Sequence, residues 1–131
     1  MSRLLIAAVS FLLAVMVTAG CTPTRSLGPV YIFPRGDQPA AIEVKVFSFD
    51  PNHLVILHDY APASIRLSNT NDTWHNFTLT DPQEKVILSK NVIPKESITI
   101  RLDSLNPGNY VFYCNRFLHR LQGMEGMLMI D

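Results

Sequence analysis

From residue 42 onward, apolar and polar side chains alternate in short runs. Ile42, Val44 and Val46 alternate with Glu43 and Lys45, Ile65 and Leu67 with Arg66 and Ser68, and Phe77 and Leu79 with Thr78 and Thr80. A two-residue period of this kind belongs to a strand with one face buried. The runs Leu54 to Leu57, Val86 to Leu88, Ile98 to Leu102, Tyr110 to Cys114 and Met127 to Ile130 bring the strand-like segments to eight. Pro51-Asn52, Asp81-Pro82 and Asn106-Pro107-Gly108 punctuate them as turns. Short strands with turns roughly every eight to twelve residues predict an all-β antiparallel sandwich or barrel. No window sustains a helical period and no internal repeat is visible; residues 91–94 leave a single helical turn open.

The first 41 residues follow different rules. Residues 1–21 read MSRLLIAAVSFLLAVMVTAGC: one basic residue, Arg3, then an apolar stretch from Leu4 to Val17, then the small residues Thr18, Ala19 and Gly20. This is the layout of an export signal over residues 1–20. The apolar stretch is short for a membrane span, which needs ~20 residues. Ala19-Gly20-Cys21 resembles a bacterial lipobox, although Thr18 stands where Leu is usual. Cys21 then becomes a lipid anchor to an envelope membrane, with the domain on the extracytoplasmic or periplasmic side; each buried methylene contributes roughly 0.8 kcal/mol of attachment. A plain signal peptide and a retained anchor helix are the alternatives. Pro23, Pro29, Pro34 and Pro39 make residues 21–41 a stiff tether, within which Tyr31, Ile32 and Phe33 offer an apolar spot for docking on the domain.

Composition narrows the function. A chain of 131 residues holds one domain. Eleven Lys and Arg balance eleven Asp and Glu, without a basic stripe, which argues against a nucleic-acid partner. An apolar share of 47% supplies an ordinary core, and no second long apolar run follows the first. Of the two cysteines, only Cys114 remains as a thiol once Cys21 is lipidated. A lone thiol in an oxidising compartment is a liability unless something occupies it.

The segment around that thiol carries the chemistry. Cys114 ends an aromatic run, His119 follows it, and Met124 comes next, just before the last strand. A thiolate, an imidazole and a thioether on one loop form a soft donor set suited to copper, and the His2Cys arrangement with a weak Met requires one more imidazole. His75, at the head of a strand in Trp74-His75-Asn76-Phe77, fits best among the remaining histidines; His53 and His58 read as surface or hydrogen-bonded residues. Met127 and Met129 compete with Met124 for the weak position, but strand alternation claims both. Taken singly, a Cys, His or Met is more often a packing residue than a ligand.

Phe49-Asp50-Pro51, Asn69 ahead of Trp74-His75-Asn76-Phe77, Tyr113-Cys114, His119 and Gly123-Met124-Glu125-Gly126 together resemble the cupredoxins, the blue copper proteins. The resemblance covers residues 42–131 and implies a Greek-key β-sandwich or barrel of about eight strands. It implies one type 1 copper ion on His75, Cys114, His119 and Met124, and a backbone amide from Asn76 to the Cys114 sulfur. Asn76 and Asn115 are then expected to tie the two ligand segments together, within a dry surround of Trp74, Phe77, Phe112 and Phe117. One departure concerns the loop: many relatives carry Pro-Gly before the second His, where this chain has Phe117-Leu118. Another is His58-Asp59-Tyr60 in place of the Gly common after the second strand.

The expected function is one-electron transfer in the bacterial envelope by a monomer that docks redox partners through Phe117, Leu118 and Leu121, with Arg116 and Arg120 favouring an acidic face on the partner. Copper binding for delivery, without a place in a redox chain, is the alternative. Copper oxidases and nitrite reductases of the resembled family need further His ligands and a second domain, so a catalyst is not expected. A binuclear site would need two Cys in the loop, which holds one. A metal-free interaction domain would leave the lone thiol without a purpose.

Overall fold

The computed structural model describes residues 26–33, 36–57 and 63–131. The expected signal over residues 1–20, the anchor Cys21, the first residues of the tether and His58 lie outside the described residues. Among the described residues no helix is long and apolar enough to cross a membrane.

Ten strands form two sheets. They are β1 (Tyr31–Phe33), β2 (Ala40–Val44), β3 (Phe49–Asp50), β4 (His53–Ile56), β5 (Ser64–Asn69), β6 (His75–Thr80), β7 (Val86–Val92), β8 (Ser97–Arg101), β9 (Gly108–Tyr113) and β10 (Glu125–Ile130). The six-stranded sheet has the order β1-β4-β10-β9-β6-β7, and the four-stranded sheet β3-β2-β5-β8. The all-β sandwich is as expected, with two strands more than the alternation predicts. The short β1 and β3 carry too few residues to display a period. The sheets are also mixed, because β1–β4, β4–β10 and β2–β5 pair in parallel. Parallel pairs need long crossovers, and here crossovers between the sheets return the chain beside an earlier strand.

The inner faces supply the core. Ile42 and Val44 of β2, Ile65 and Leu67 of β5, Phe77 and Leu79 of β6, and Phe112 and Leu128 of β9 and β10 are all buried. Each buried side chain of this size stabilises the fold by roughly 1.5–3 kcal/mol. Phe77 and Phe112 stack with centroids 5.2 Å apart, and Phe49 meets both edge-on. In β6 the polar side is buried as well: Asn76 and Thr78 bond each other and reach Ser89 and Asn91 across β7. Residues 91–94 hold the end of β7 rather than a helical turn.

Part of the Pro-rich segment is integrated into the fold. β1 pairs with β4, and the Asn52 side chain accepts from the Gly28 amide and donates to the Ser26 carbonyl. The Asn52 carbonyl accepts in turn from Met127, so one turn residue holds both the N-terminal segment and β10.

Candidate metal centre

The site lies where β6, β9 and β10 end side by side. His75 opens β6, Cys114 follows the last residue of β9, and Met124 precedes the first residue of β10. The Thr78–Tyr113 and Tyr113–Glu125 pairings fix the three strands against each other, and the Cys114 amide donates to the Met124 carbonyl at 3.0 Å. Gly126 makes the junction fit. A Cβ there would stand 2.3 Å from both the Asn52 carbonyl oxygen and the Phe112 ring.

Between Cys114 and Met124 the chain coils tightly. The His119 amide donates to Arg116, Gln122 to Leu118 and His119, Gly123 to Arg120, and Met124 to His119. Leu118 adopts φ 64°, a left-handed conformation that β-carbons disfavour. This is the position at which many members of the resembled family carry Gly and this chain departs from them. Here a Leu takes the left-handed position.

One ligand atom from each of His75, Cys114 and His119 falls within 4.8 Å of the others. Cys114 Sγ lies 3.5 Å from His119 Nδ1 and accepts from the Asn76 backbone amide at 3.3 Å. His75, Cys114 and Met124 are fully buried, and His119 is half-buried. His53 opens β4 and is not part of the cluster. Burial, with His119 and Arg116 nearby, lowers the pKa of His75 from 6.5 to about 4. Burial and Arg116 also lower that of His119. Both rings are therefore neutral at pH 7, as ligands must be.

His75 Nδ1 is buried without a hydrogen-bond partner. Its other nitrogen, Nε2, donates to Asn71 Oδ1 at 3.1 Å. That oxygen cannot point elsewhere, because Asn71 Nδ2 donates to the Val44 carbonyl at 2.9 Å. Asn71 Oδ1 also accepts from Thr73 N, and Asn69 braces the same loop through Thr73, Val92 and Asn71. The imidazole is thus held with a bare lone pair in a dry pocket, beside a sulfur and a second imidazole. An orphaned buried nitrogen costs free energy unless a ligand completes it. The donor set of two imidazole nitrogens, a thiol and a nearby thioether fits copper.

The sequence profile of the cupredoxin-like domain matches residues 6–130. The chain belongs to the cupredoxin-like family. His75, Cys114, His119 and Met124 are positioned in this cupredoxin as a type 1 copper site. Auracyanin of the photosynthetic bacterium Roseiflexus castenholzii is similar in fold at a TM-score of 0.60 and 18% identity, over 73% of this chain and 98% of that one. Auracyanin A, a blue copper protein of Chloroflexus aurantiacus, superposes at 0.59 and 16%, over 76% and 100%. The metal-binding domain of the Cu(I)-exporting P-type ATPase CopA of Streptococcus pneumoniae superposes at 0.54 and 14%, over 79% and 99%. No curated protein matches the sequence significantly.

Several expected neighbours of the cupredoxin site stand elsewhere. Asn115 is exposed and has no tie to Asn76, whose side chain is taken up by Ser89, Asn91 and Thr78. The chain leaves β9 at Cys114 and turns Asn115 outward, so only the Asn76 amide reaches across to the sulfur. Phe77 and Phe112 are buried as expected, but Trp74 is 49% exposed and Phe117 89% exposed, so neither dries the site. Phe47, from the loop joining β2 and β3, does approach it: its ring meets the His119 ring edge-on at 5.2 Å. Asn71 and Phe47 were not singled out in the sequence. The one available signal for Asn71 was its place four residues before a candidate ligand.

Proposed function

We propose that this cupredoxin is a one-electron carrier of the bacterial envelope, not a catalyst, anchored by lipid on Cys21. The observation that carries the reading is the partnerless His75 Nδ1, buried next to Cys114 Sγ and His119 and locked in tautomer by Asn71. A copper ion there supplies a one-electron Cu(II)/Cu(I) couple.

The chain's own part is rigidity and exclusion of water. Three strand ends and a self-bonded loop carry the ligands, so little rearranges when charge changes. The Asn76 amide places a donor on the sulfur and, with a buried Met124, favours the reduced state. His119 gives the half-buried edge through which an electron leaves. Phe117, Leu118 and Leu121 around it form an exposed apolar patch suited to brief docking, joined by Phe47. Arg116 contributes its charge to that face. Arg120 is engaged with Glu125, so the preference for an acidic partner rests on Arg116.

Repeated oxidation and reduction, with bound metal assayed after each cycle, tests the carrier reading. Retention of copper through many cycles supports it; loss of Cu(I) at the first reduction, or its passage to an acceptor protein, supports copper delivery instead. For the anchor, Cys21→Ser should move the protein from the membrane to the soluble fraction.

A further inference from the structure

Tyr113, Arg120 and Glu125 form one cluster on the outer face of the six-stranded sheet. The Arg120 guanidinium carbon lies 4.1 Å from the Tyr113 ring centroid, and its Nε donates to Glu125 Oε2 at 2.9 Å. Tyr113 and Glu125 are direct partners across β9 and β10 and therefore share a face. Each of the three residues is the chain neighbour of a ligand: Tyr113 precedes Cys114, Arg120 follows His119, and Glu125 follows Met124. No other part of the described surface joins the three segments in this way through side chains.

We propose that Arg120 is the positioning residue of the metal centre, tying the segments that carry Cys114, His119 and Met124 into one rigid unit. The inference rests on the copper reading of the site. The loop needs such a tie because burial does little to hold it: Phe117 and Leu121 face solvent. Apart from the Cys114–Met124 bond that closes its base, its internal hydrogen bonds span two to five residues, and these shape the coil without reaching β9. A planar cation on an aromatic face, with an ion pair at its edge, fastens it in a direction no backbone bond covers. An open cavity of about 160 Å³, lined by Thr80, Glu84, Val111, Tyr113 and Arg120, borders the stack. Nothing bulky presses the guanidinium down from that side, so the ring and the carboxylate hold it in place. The Glu125 side chain is 11% exposed, and losing Arg120 would take from it a charge-matched donor in a poorly hydrated position.

Amide hydrogen exchange of the metal-free protein and copper release to a Cu(I) chelator from the loaded protein test this together. In Arg120→Ala the Met124 and Cys114 amides should exchange about tenfold faster and copper should leave about tenfold faster, the scale of an outer-shell loss. The exposed loop control Gln122→Ala should stay within about twofold of the parent on both. Arg120→Lys keeps the charge but not the planar stack, and should fall between. Arg120→Ala indistinguishable from Gln122→Ala in both readouts overturns the proposal. Should Arg120→Ala fail to fold, Glu125→Gln removes the ion pair at constant volume; faster Met124 exchange supports the proposal and unchanged exchange overturns it. A parent protein that takes no copper while Arg120→Ala still loosens the loop would sink the copper reading and leave the tie standing.

Discussion

Asn71 presents its side-chain oxygen to His75 Nε2 at 3.1 Å, and that contact decides which nitrogen of the ring faces Cys114. The decision is made at a distance, since the amide is held in orientation by the Val44 carbonyl of the other sheet. Asn71→Ala removes the oxygen and frees the imidazole to turn. Copper affinity should fall about 10- to 100-fold, measured by competition with a chelator of known affinity. Asn71→Asp, which keeps an acceptor at the same place, should bind copper far better than Asn71→Ala.

Leu118 sits at φ 64°, where a β-carbon costs roughly 1–2 kcal/mol and glycine costs nothing sterically. Glycine also loses about 0.4–1 kcal/mol more chain entropy on folding. The balance predicts that Leu118→Gly is neutral to about 1.5 kcal/mol more stable in denaturant unfolding, while weakening docking by removing an exposed apolar side chain. Leu118→Pro, fixed at negative φ, should break the coil and abolish metal binding.

Gly126 shows the opposite constraint. It has no room for a methyl group between Asn52 and Phe112, and Phe112 is itself wedged against Phe77 and Phe49. Gly126→Ala should cost roughly 3 kcal/mol by overpacking, read as a lowered denaturant midpoint. Its effect should reach the site as well, because Gly126 is two residues from Met124.

Acid should weaken the metal-free protein through its ligand histidines. The folded pKa of His75 is lowered to about 4, and that of His119 is also lowered, each first by burial. Below the ordinary value near 6.5 the unfolded chain binds these protons while the folded protein does not. Stability is therefore complete above about pH 6.5 and declines as pH falls toward 4. Unfolding midpoints between pH 7.5 and about 5, above the range of most carboxylates, should show the decline, and His75→Gln should make it shallower.

The site was legible to the extent that its chemistry is local. Cys114, His119 and Met124 share one loop, and their spacing survives in the linear sequence; His75 was legible because it heads an alternating strand. The misreadings came from relations between strands. Asn115 follows a ligand directly, but the turn after β9 sends it outward. Trp74 precedes a ligand, but it stands just before β6, whose residues are buried on both sides, and its indole is left half in solvent. Phe47 touches His119 only because the β2–β3 loop folds over that end of the sandwich. The arrangement of the sheets followed the same rule: six- and four-stranded layers with parallel pairs arise from crossovers that no local period encodes.

The central claim is that His75, Cys114 and His119 hold one copper ion. Adding copper(II) to the purified metal-free protein and recording the visible spectrum tests it most directly. An intense thiolate-to-copper band that saturates at one equivalent and vanishes in Cys114→Ser is the predicted result. A protein that stays colourless, or a band that persists without the Cys114 sulfur, would contradict it.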